Sequence, residues 1–400
     1  MRSYLDRTVM ACRAIEVLMM LVYDRLTHLN CSLMATQRLN HRFASSILRH
    51  HLYPKIKLLL FIMTFTSAAN AQSLIKINEF IYQHAPFRSA HASTIVEVDG
   101  ILVAAWFGGT AEGENDVGIW SSRHDHNGWS PPVEIANGLQ DNSVRFPSWN
   151  PVLFKPSTGP LLLFYKVGEN PHTWWGLVKV SNDRGQTWSQ ALRLPSEILG
   201  PIRAKPVELQ DGTLLVGSST EHDGWVSHVE RFKPPHVDNW NFKVLVDSDA
   251  WWRSRPLNSS ATFDAIQPTI LVHGLNKIQV LCRSRQGVIT EAWSFDGGDT
   301  WEQMRATELA NPSAGIDALR LHDDRFLLVH NPSSRDRSQL AVSVFQDTDT
   351  WQQVLLLEND IGEYSYPAAI QTADNMVHIT YTWRRERIKH VVIDPSQINN

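Results

Sequence analysis

The sequence predicts an all-β protein, a six-bladed β-propeller of four-stranded antiparallel blades. Three observations carry this. An S-x-D-x-G-x-T-W octamer occurs twice, as SNDRGQTW at 181–188 and SFDGGDTW at 294–301. A hairpin-like unit recurs six times, at positions 92, 151, 206, 268, 318 and 367, with gaps of 59, 55, 62, 50 and 49 residues. Beyond residue 75, short runs rich in Val, Ile, Leu, Thr and Phe alternate or run continuously, and no segment sustains a helical period.

The six copies read, in order, HASTIVEVDGILVAAWFGG (91–109), NPVLFKPSTGPLLLFYKVG (150–168), KPVELQDGTLLVGSST (205–220), QPTILVHGLNKIQVLCRS (267–284), DALRLHDDRFLLVHNPS (317–333) and YPAAIQTADNMVHITYTW (366–383). Each is a short strand, a turn and a stronger apolar strand. The turns carry D-G, G-P, D-G, G-L-N, D-D and A-D-N, residues that tolerate hairpin dihedrals. Trp188 and Trp301 of the octamers have weaker echoes at Trp129, Trp240 and Trp351, and the five are 59, 52, 61 and 50 residues apart. The octamer therefore falls between the third and fourth strands, on the outer part of a blade. There its Asp and Ser bond turn amides, its Gly takes an unusual φ and its Trp fills the space between sheets. Six units occupy residues 73–400, and the run SLIKINEFIY at their start is expected to complete the last blade and close the ring. A two-sheet sandwich would not explain the period.

Net charge is −4 with pI near 6.5, so nothing in the overall balance suggests a nucleic-acid partner. The segment KIKLLLFIMTFTSAANA at 55–71 has the charged, apolar and small-residue order of a secretory signal, with cleavage before Gln72. Its apolar run is too short to span a bilayer. A periplasmic or secreted protein without membrane attachment after cleavage is expected, and residues 1–54 read as an extension from an upstream start. Cys12 and Cys31 lie in that extension. The mature part holds only Cys282, so it has no internal disulfide. No Cys/His spacing suggests a metal or other cofactor, and His124-Asp125-His126 reads as a turn.

In a propeller the innermost strands line the axis. The residues at their starts are His91, Asn150, Lys205, Gln267, Asp317 and Tyr366, each with a polar tip. The loops after the second strands add Glu112, Asp116, Lys166, Glu221, Arg283, Arg285, Arg335, Arg337, Arg384 and Arg385 to the same face. Clustered arginines suit a carboxylate, which the planar guanidinium pairs bidentately. With Tyr, His and Glu beside them they describe a site for an anionic sugar, so the expected partner is a glycan bearing a carboxylate.

From about residue 90 to 394 the chain resembles the sialidase (neuraminidase) superfamily, in its bacterial BNR-repeat, Asp-box group. The octamers match the Asp boxes, and HASTIVE, WNPVLF, CRSRQG and EYSYPA are similar to that group. The resemblance implies an exo-glycosidase that hydrolyses a terminal carboxylated sugar. It implies Arg283 or Arg285, together with Arg337, as carboxylate-binding residues and Tyr364 as the nucleophile. Asp116 or Glu112 in GGTAEGENDVGIW would be the acid/base. Lys205, Gln267, Asp317 and Tyr366 would line the substrate site. Two parts of the pattern differ. The F-R-I-P motif that supplies a first arginine is missing, since Phe87-Arg88 is followed by SAHAST and His91 stands near the expected position. No acid occurs near Gln267-Pro268, where a Glu would activate the tyrosine. Two other functions are therefore compatible. One is a uronate-specific lyase working by β-elimination, with His91 or Tyr364 as the base. The other is a non-catalytic sugar-binding propeller.

Overall fold

The computed structural model describes residues 74–398, apart from 142, 235–241, 260 and 346–349. The chain divides into two units, 1–69 and 70–400, and the described residues lie in the second. The expected export signal, the extension before it, Cys12, Cys31 and the octamer echo at Trp240 fall outside the described residues.

Six antiparallel blades form the expected propeller. Blade 1 runs outward through Ser89–Val98, Ile101–Gly109, Gly118–Asp125 and Gly128–Trp129. The innermost strands of blades 2 to 6 are Ser148–Phe154, Val207–Glu208, Ala265–Val272, Asp317–Arg320 and Tyr364–Gln371. The strand Ile75–Phe80 takes the outermost place in blade 6, antiparallel to Arg387–Ile393. The beginning of the propeller is thus stitched to its end, as the SLIKINEFIY run predicts. No described helix is long and apolar enough to cross a membrane.

Burial explains why the two kinds of strand differ in sequence. The second strand of blade 2, LLLFYKV, is buried along its whole length because both its faces meet neighbouring blades. The third strand, WGLVKVS, alternates half-buried and buried positions nearer the rim. Each seam between blades holds its own apolar cluster. Ile119, Leu153 and Leu163 join blades 1 and 2, and Val152, Phe164 and Val216 join blades 2 and 3. The ring-closing seam of blades 6 and 1 packs Trp106 on Tyr82, with centroids 5.1 Å apart. A fully buried Leu, Val or Phe contributes about 1.5–3 kcal/mol, so six such seams dominate the stability of the ring.

Both octamers are closed turns after a third strand. Ser181 Oγ donates to Asp183 Oδ1 at 2.7 Å, Thr187 Oγ1 to Asp183 Oδ2 at 2.5 Å, and the Thr187 and Gln186 amides to Oδ1 at 2.9 and 3.1 Å. Ser294, Asp296 and Thr300 repeat the pattern. The Thr187 hydroxyl and amide bring the Asp183 carboxyl down to about 2. Gly185, at φ 76°, lies against Val103, and Trp188 packs into the seam of blades 1 and 2. The octamers are therefore scaffold.

Candidate active site

Four of the six innermost strands carry the same defect where they start. The register breaks between His91 and Thr94, opposite Phe164 and Lys166 in blade 2, between Ile266 and Thr269, and between Ser365 and Ala368. In each case the first bulged residue is left-handed: Ala92 at φ 54°, Asn150 at 40°, Gln267 at 60° and Tyr366 at 53°. A bulge breaks the two-residue alternation of a strand and re-aims a side chain. The alignment of His91 with Asn150, Gln267 and Tyr366 is corrected here by one residue, because blade 1 places its bulge at Ala92-Ser93.

Tyr366 is the hub of the site. Its ring centroid lies 5.4 Å from the guanidinium of Arg203, 5.5 Å from that of Arg283 and 5.5 Å from that of Arg337. Arg283 Nη1 donates to the Tyr366 hydroxyl, and Arg203 Nη2 donates to the carbonyl of Pro367. His91 packs against the same ring, with centroids 4.1 Å apart, and its Nδ1 bonds the Thr382 hydroxyl at 2.9 Å. Burial, reinforced by Arg385, Arg337, Arg203 and Arg283, holds the His91 imidazole well below its usual range, so it is neutral at pH 7. Burial also brings Arg203 down to about 10, against the attraction of Asp317, and it stays charged.

Glu363 ties the rim to this hub. It accepts from Arg337 Nη1 at 2.8 Å, Arg385 Nε at 3.0 Å and Ser365 Oγ at 2.8 Å. Burial opposes its charge, but the hydrogen bond and charge of Arg385, the charge of Arg337 and the Ser365 hydroxyl hold its carboxyl below the usual range. Arg385 also pairs with Glu112, so the last blade's loop is bound to the first blade's. Across the site, Trp225 lies under Arg283 and Arg285, at 4.8 and 4.2 Å. Burial raises the Glu221 carboxyl, with Arg283, His172, the Trp225 indole and Arg285 acting against it.

The sequence-based site residues thus separate into groups. His91, Arg283, Arg337 and Tyr366 come together, and Arg285 joins them through Trp225. Tyr364 does not. Its ring packs in the seam of blades 5 and 6, and its hydroxyl meets Arg384 Nη2 at 3.2 Å. Asp116 closes its own loop, accepting from the Thr110 amide and hydroxyl at 2.9 and 2.6 Å. Lys205 and Asp317 pair with each other at 2.9 Å, and Asp317 also accepts from the Ala369 amide. Gln267 is buried with Oε1 lacking a partner. Lys166 is fully buried and donates to the Pro201 carbonyl, away from the rim loop in which its sequence position put it. Arg203, Glu363 and Trp225 escaped the sequence reading. Glu363 directly precedes the EYSYP tyrosines, but Arg203 stands two residues before the third repeat and carries no motif. Among the described residues no cluster of His, Cys, Asp and Glu is arranged to hold a metal.

Comparison with known families matches residues 100–379 to the BNR repeat-like domain. The chain belongs to this family. The BNR-repeat chain also resembles several solved structures. A protein of unknown function from Dyadobacter fermentans is 18% identical at TM-score 0.64, over 80% of this chain and 98% of that one. The Hadza microbial sialidase Hz136 is 15% identical at TM-score 0.65, over 81% of this chain and 69% of that one. The NanB sialidase of Streptococcus pneumoniae is 12% identical at TM-score 0.60, over 80% of this chain and 71% of that one. At such identities the likeness is one of fold. The comparison with curated proteins gives no match.

Proposed function

We propose that this BNR-repeat protein is an exported carbohydrate-active enzyme, a sialidase-like exo-glycosidase that removes a terminal carboxylated sugar from a glycan. The observation that carries this reading is the set of three guanidiniums, Arg203, Arg283 and Arg337, around one tyrosine, Tyr366. Arg283 and Arg337 bind the sugar carboxylate, and Arg203 adds positive charge beneath. Tyr366 replaces Tyr364 as the reacting tyrosine. Its oxygen bonds to the anomeric carbon as the glycosidic C–O bond breaks, or it holds the water that does so. The neutral His91 imidazole against its ring can take the phenol proton. Glu221 gives a proton to the leaving oxygen, since burial favours its protonated form. In the second half of a retaining reaction, water would attack the anomeric carbon as the tyrosyl–sugar bond breaks, giving a proton of its own to Glu221 while His91 returns the phenol proton to the Tyr366 oxygen.

One observation favours β-elimination as a second reading. Among the described residues no carboxylate hydrogen-bonds the Tyr366 hydroxyl, whereas a neutral histidine touches its ring. In that chemistry the arginines neutralise a uronate carboxylate, Tyr366 or His91 removes the C5 proton, and the C4–oxygen bond breaks. Incubation with sialosides and with uronate oligosaccharides separates the two. Free terminal sugar without new ultraviolet absorbance supports the glycosidase. Absorbance of an unsaturated uronate overturns it.

A further inference from the structure

The octamers put blades 2 and 4 in register, with Ser181 matching Ser294. In blade 2, Val178 and Val180 precede the octamer and are buried in the seam with blade 3. In blade 4 the same places hold Glu291 and Trp293, on the third strand Val288–Ser294, and the octamer position of Asn182 holds Phe295. Strand alternation puts Glu291 and Trp293 on one face, toward blade 5. The seam of blades 4 and 5 is therefore open at the rim, where that of blades 2 and 3 is filled. The opening is a groove of about 750 Å³, within the range of about 300–1,000 Å³ usual for small-molecule sites.

Aromatic rings line both sides of it. On blade 4, Phe295 stacks on Trp293 with an interplanar angle of 15°, and Phe295 is 57% exposed, so it closes no core. On blade 5, Phe345 and Trp351 stand with centroids 5.4 Å apart. His273 lies between, 4.8 Å from Trp293 and 6.2 Å from Phe345. The polar groups are gathered beside the Trp293 ring. Glu291 accepts from Gln279 Nε2 at 2.6 Å and from Arg305 Nε at 2.7 Å. Trp293 Nε1 is buried without a partner. Lys277 and Arg305 stand against Glu291, Glu302 and Glu308 in the lining, so there is no excess of positive charge to hold a carboxylate. None of the axial residues takes part.

We propose that this groove is a second, non-catalytic glycan site, which holds an uncharged chain of hexose or N-acetylhexosamine whichever bond is broken at the axis. The C–H faces of a pyranose pack on indole and phenyl rings. Its hydroxyls both donate and accept, so neighbouring ones can bond the Glu291 carboxylate, the Arg305 guanidinium and the free indole N–H. A proline-rich segment would also lie on aromatic ridges, but it has no hydroxyl to give the carboxylate.

The test is binding of the purified protein to an array of neutral hexose and N-acetylhexosamine oligosaccharides, followed by calorimetry with the best-bound one. Phe295→Ala removes an exposed ring and should weaken binding about tenfold, the loss of one aromatic contact. Trp293→Ala should abolish it. Arg337→Ala, altered only at the axis, should bind as the wild type does. A silent array overturns the proposal. So does a Kd unchanged in Phe295→Ala, or binding that disappears in Arg337→Ala, which would place the neutral glycan at the axis. If Trp293→Ala fails to fold, Phe295→Ala decides alone.

Discussion

Replacing Tyr366 by Phe removes one oxygen and leaves the ring around which His91, Arg203, Arg283 and Arg337 pack. That oxygen accepts from Arg283 Nη1, and Arg283 Nε already lacks a partner. Deleting the acceptor strands a second donor on a guanidinium that is 7% exposed, a loss of about 1–3 kcal/mol in stability. Catalysis should lose more. A side chain that exchanges a proton in the transition state is worth about 10²–10⁴-fold, and one that also bonds to the substrate at least as much. We expect kcat to fall by at least about a hundredfold, with KM little changed because the carboxylate contacts remain. Tyr364→Phe is the matched control. Its hydroxyl meets Arg384 at 3.2 and 3.3 Å at the rim, so about 0.5–1 kcal/mol of stability is at stake and kcat should stay within about twofold. Steady-state kinetics on a fluorogenic glycoside of the carboxylated sugar, with urea unfolding of each variant, measures both quantities. A Tyr366→Phe protein that retains kcat within about threefold refutes the assignment, as does a Tyr364→Phe protein that loses as much as Tyr366→Phe.

Arg337→Ala removes a carboxylate contact and one of the partners of Glu363, and kcat/KM should fall about 10²–10³-fold whichever bond is broken; near-normal turnover would show that the carboxylate sits elsewhere. Asp183→Ala removes an acceptor of four hydrogen bonds far from the axis, so unfolding free energy should drop by about 1–3 kcal/mol while kinetics hold; a kinetic defect in a folded variant would count against a scaffold role. Burial brings Lys166 from its ordinary 10.5 down to about 7. Between those values the unfolded chain holds a proton that the folded chain has released, so stability rises with pH across that window. Lys166→Met should remove this rise in urea titrations, and an unchanged slope would contradict it. Glu221, raised by burial, stays protonated to higher pH than an ordinary glutamate. Glu221→Gln should therefore abolish the basic limb of the pH–rate profile and slow oligosaccharides far more than activated aryl glycosides; an unmoved basic limb would assign it to another group.

The propeller was legible because its signals are local and repeated. Turn residues and apolar runs recur in every blade, two octamers fix the offset between them, and one misread copy does not disturb the period. The site is legible only in part because it is assembled across the ring. Arg337 follows a second strand and Arg283 stands at the end of one, Ile278–Ser284, inside the strand and not in the loop after it, where the repeat itself marks the axial face. Arg203 enters from the lead-in to a strand only two residues long, Val207–Glu208, and no pattern announces it. Tyr364 and Tyr366 have the same parity in the strand and differ only because the bulge at Tyr366 lies between the registers on either side. Strand alternation alone gives both tyrosines the same face, so periodicity had no means of choosing between them.

The bulges themselves bear on which residues serve the ligand. A left-handed φ on a non-glycine residue costs about 1–3 kcal/mol, and glycine would adopt it without strain. Asn150 tolerates that conformation better than most side chains do, but Gln267 and Tyr366 have no such excuse. At Gln267 a second unfavourable feature coincides with the first, since its Oε1 is buried and unpaired, a further cost of about 1–3 kcal/mol. Folding alone would favour glycine at both positions. Side chains held there against conformational preference make sense where the ligand supplies what the fold withholds: a sugar hydroxyl for the Gln267 oxygen and a reacting carbon for the Tyr366 oxygen. The outer turns show the opposite arrangement. There Arg184 and Gly185, and Gly297 and Gly298, take the positive φ, and Asp183 and Asp296 accept from their own turns, so neither carboxylate is left for a ligand to satisfy. A strained backbone and an unpaired buried oxygen coincide on Gln267 at the axis, whereas the octamer carboxylates are saturated by their own turns, and that contrast separates site from scaffold independently of any likeness to other propellers.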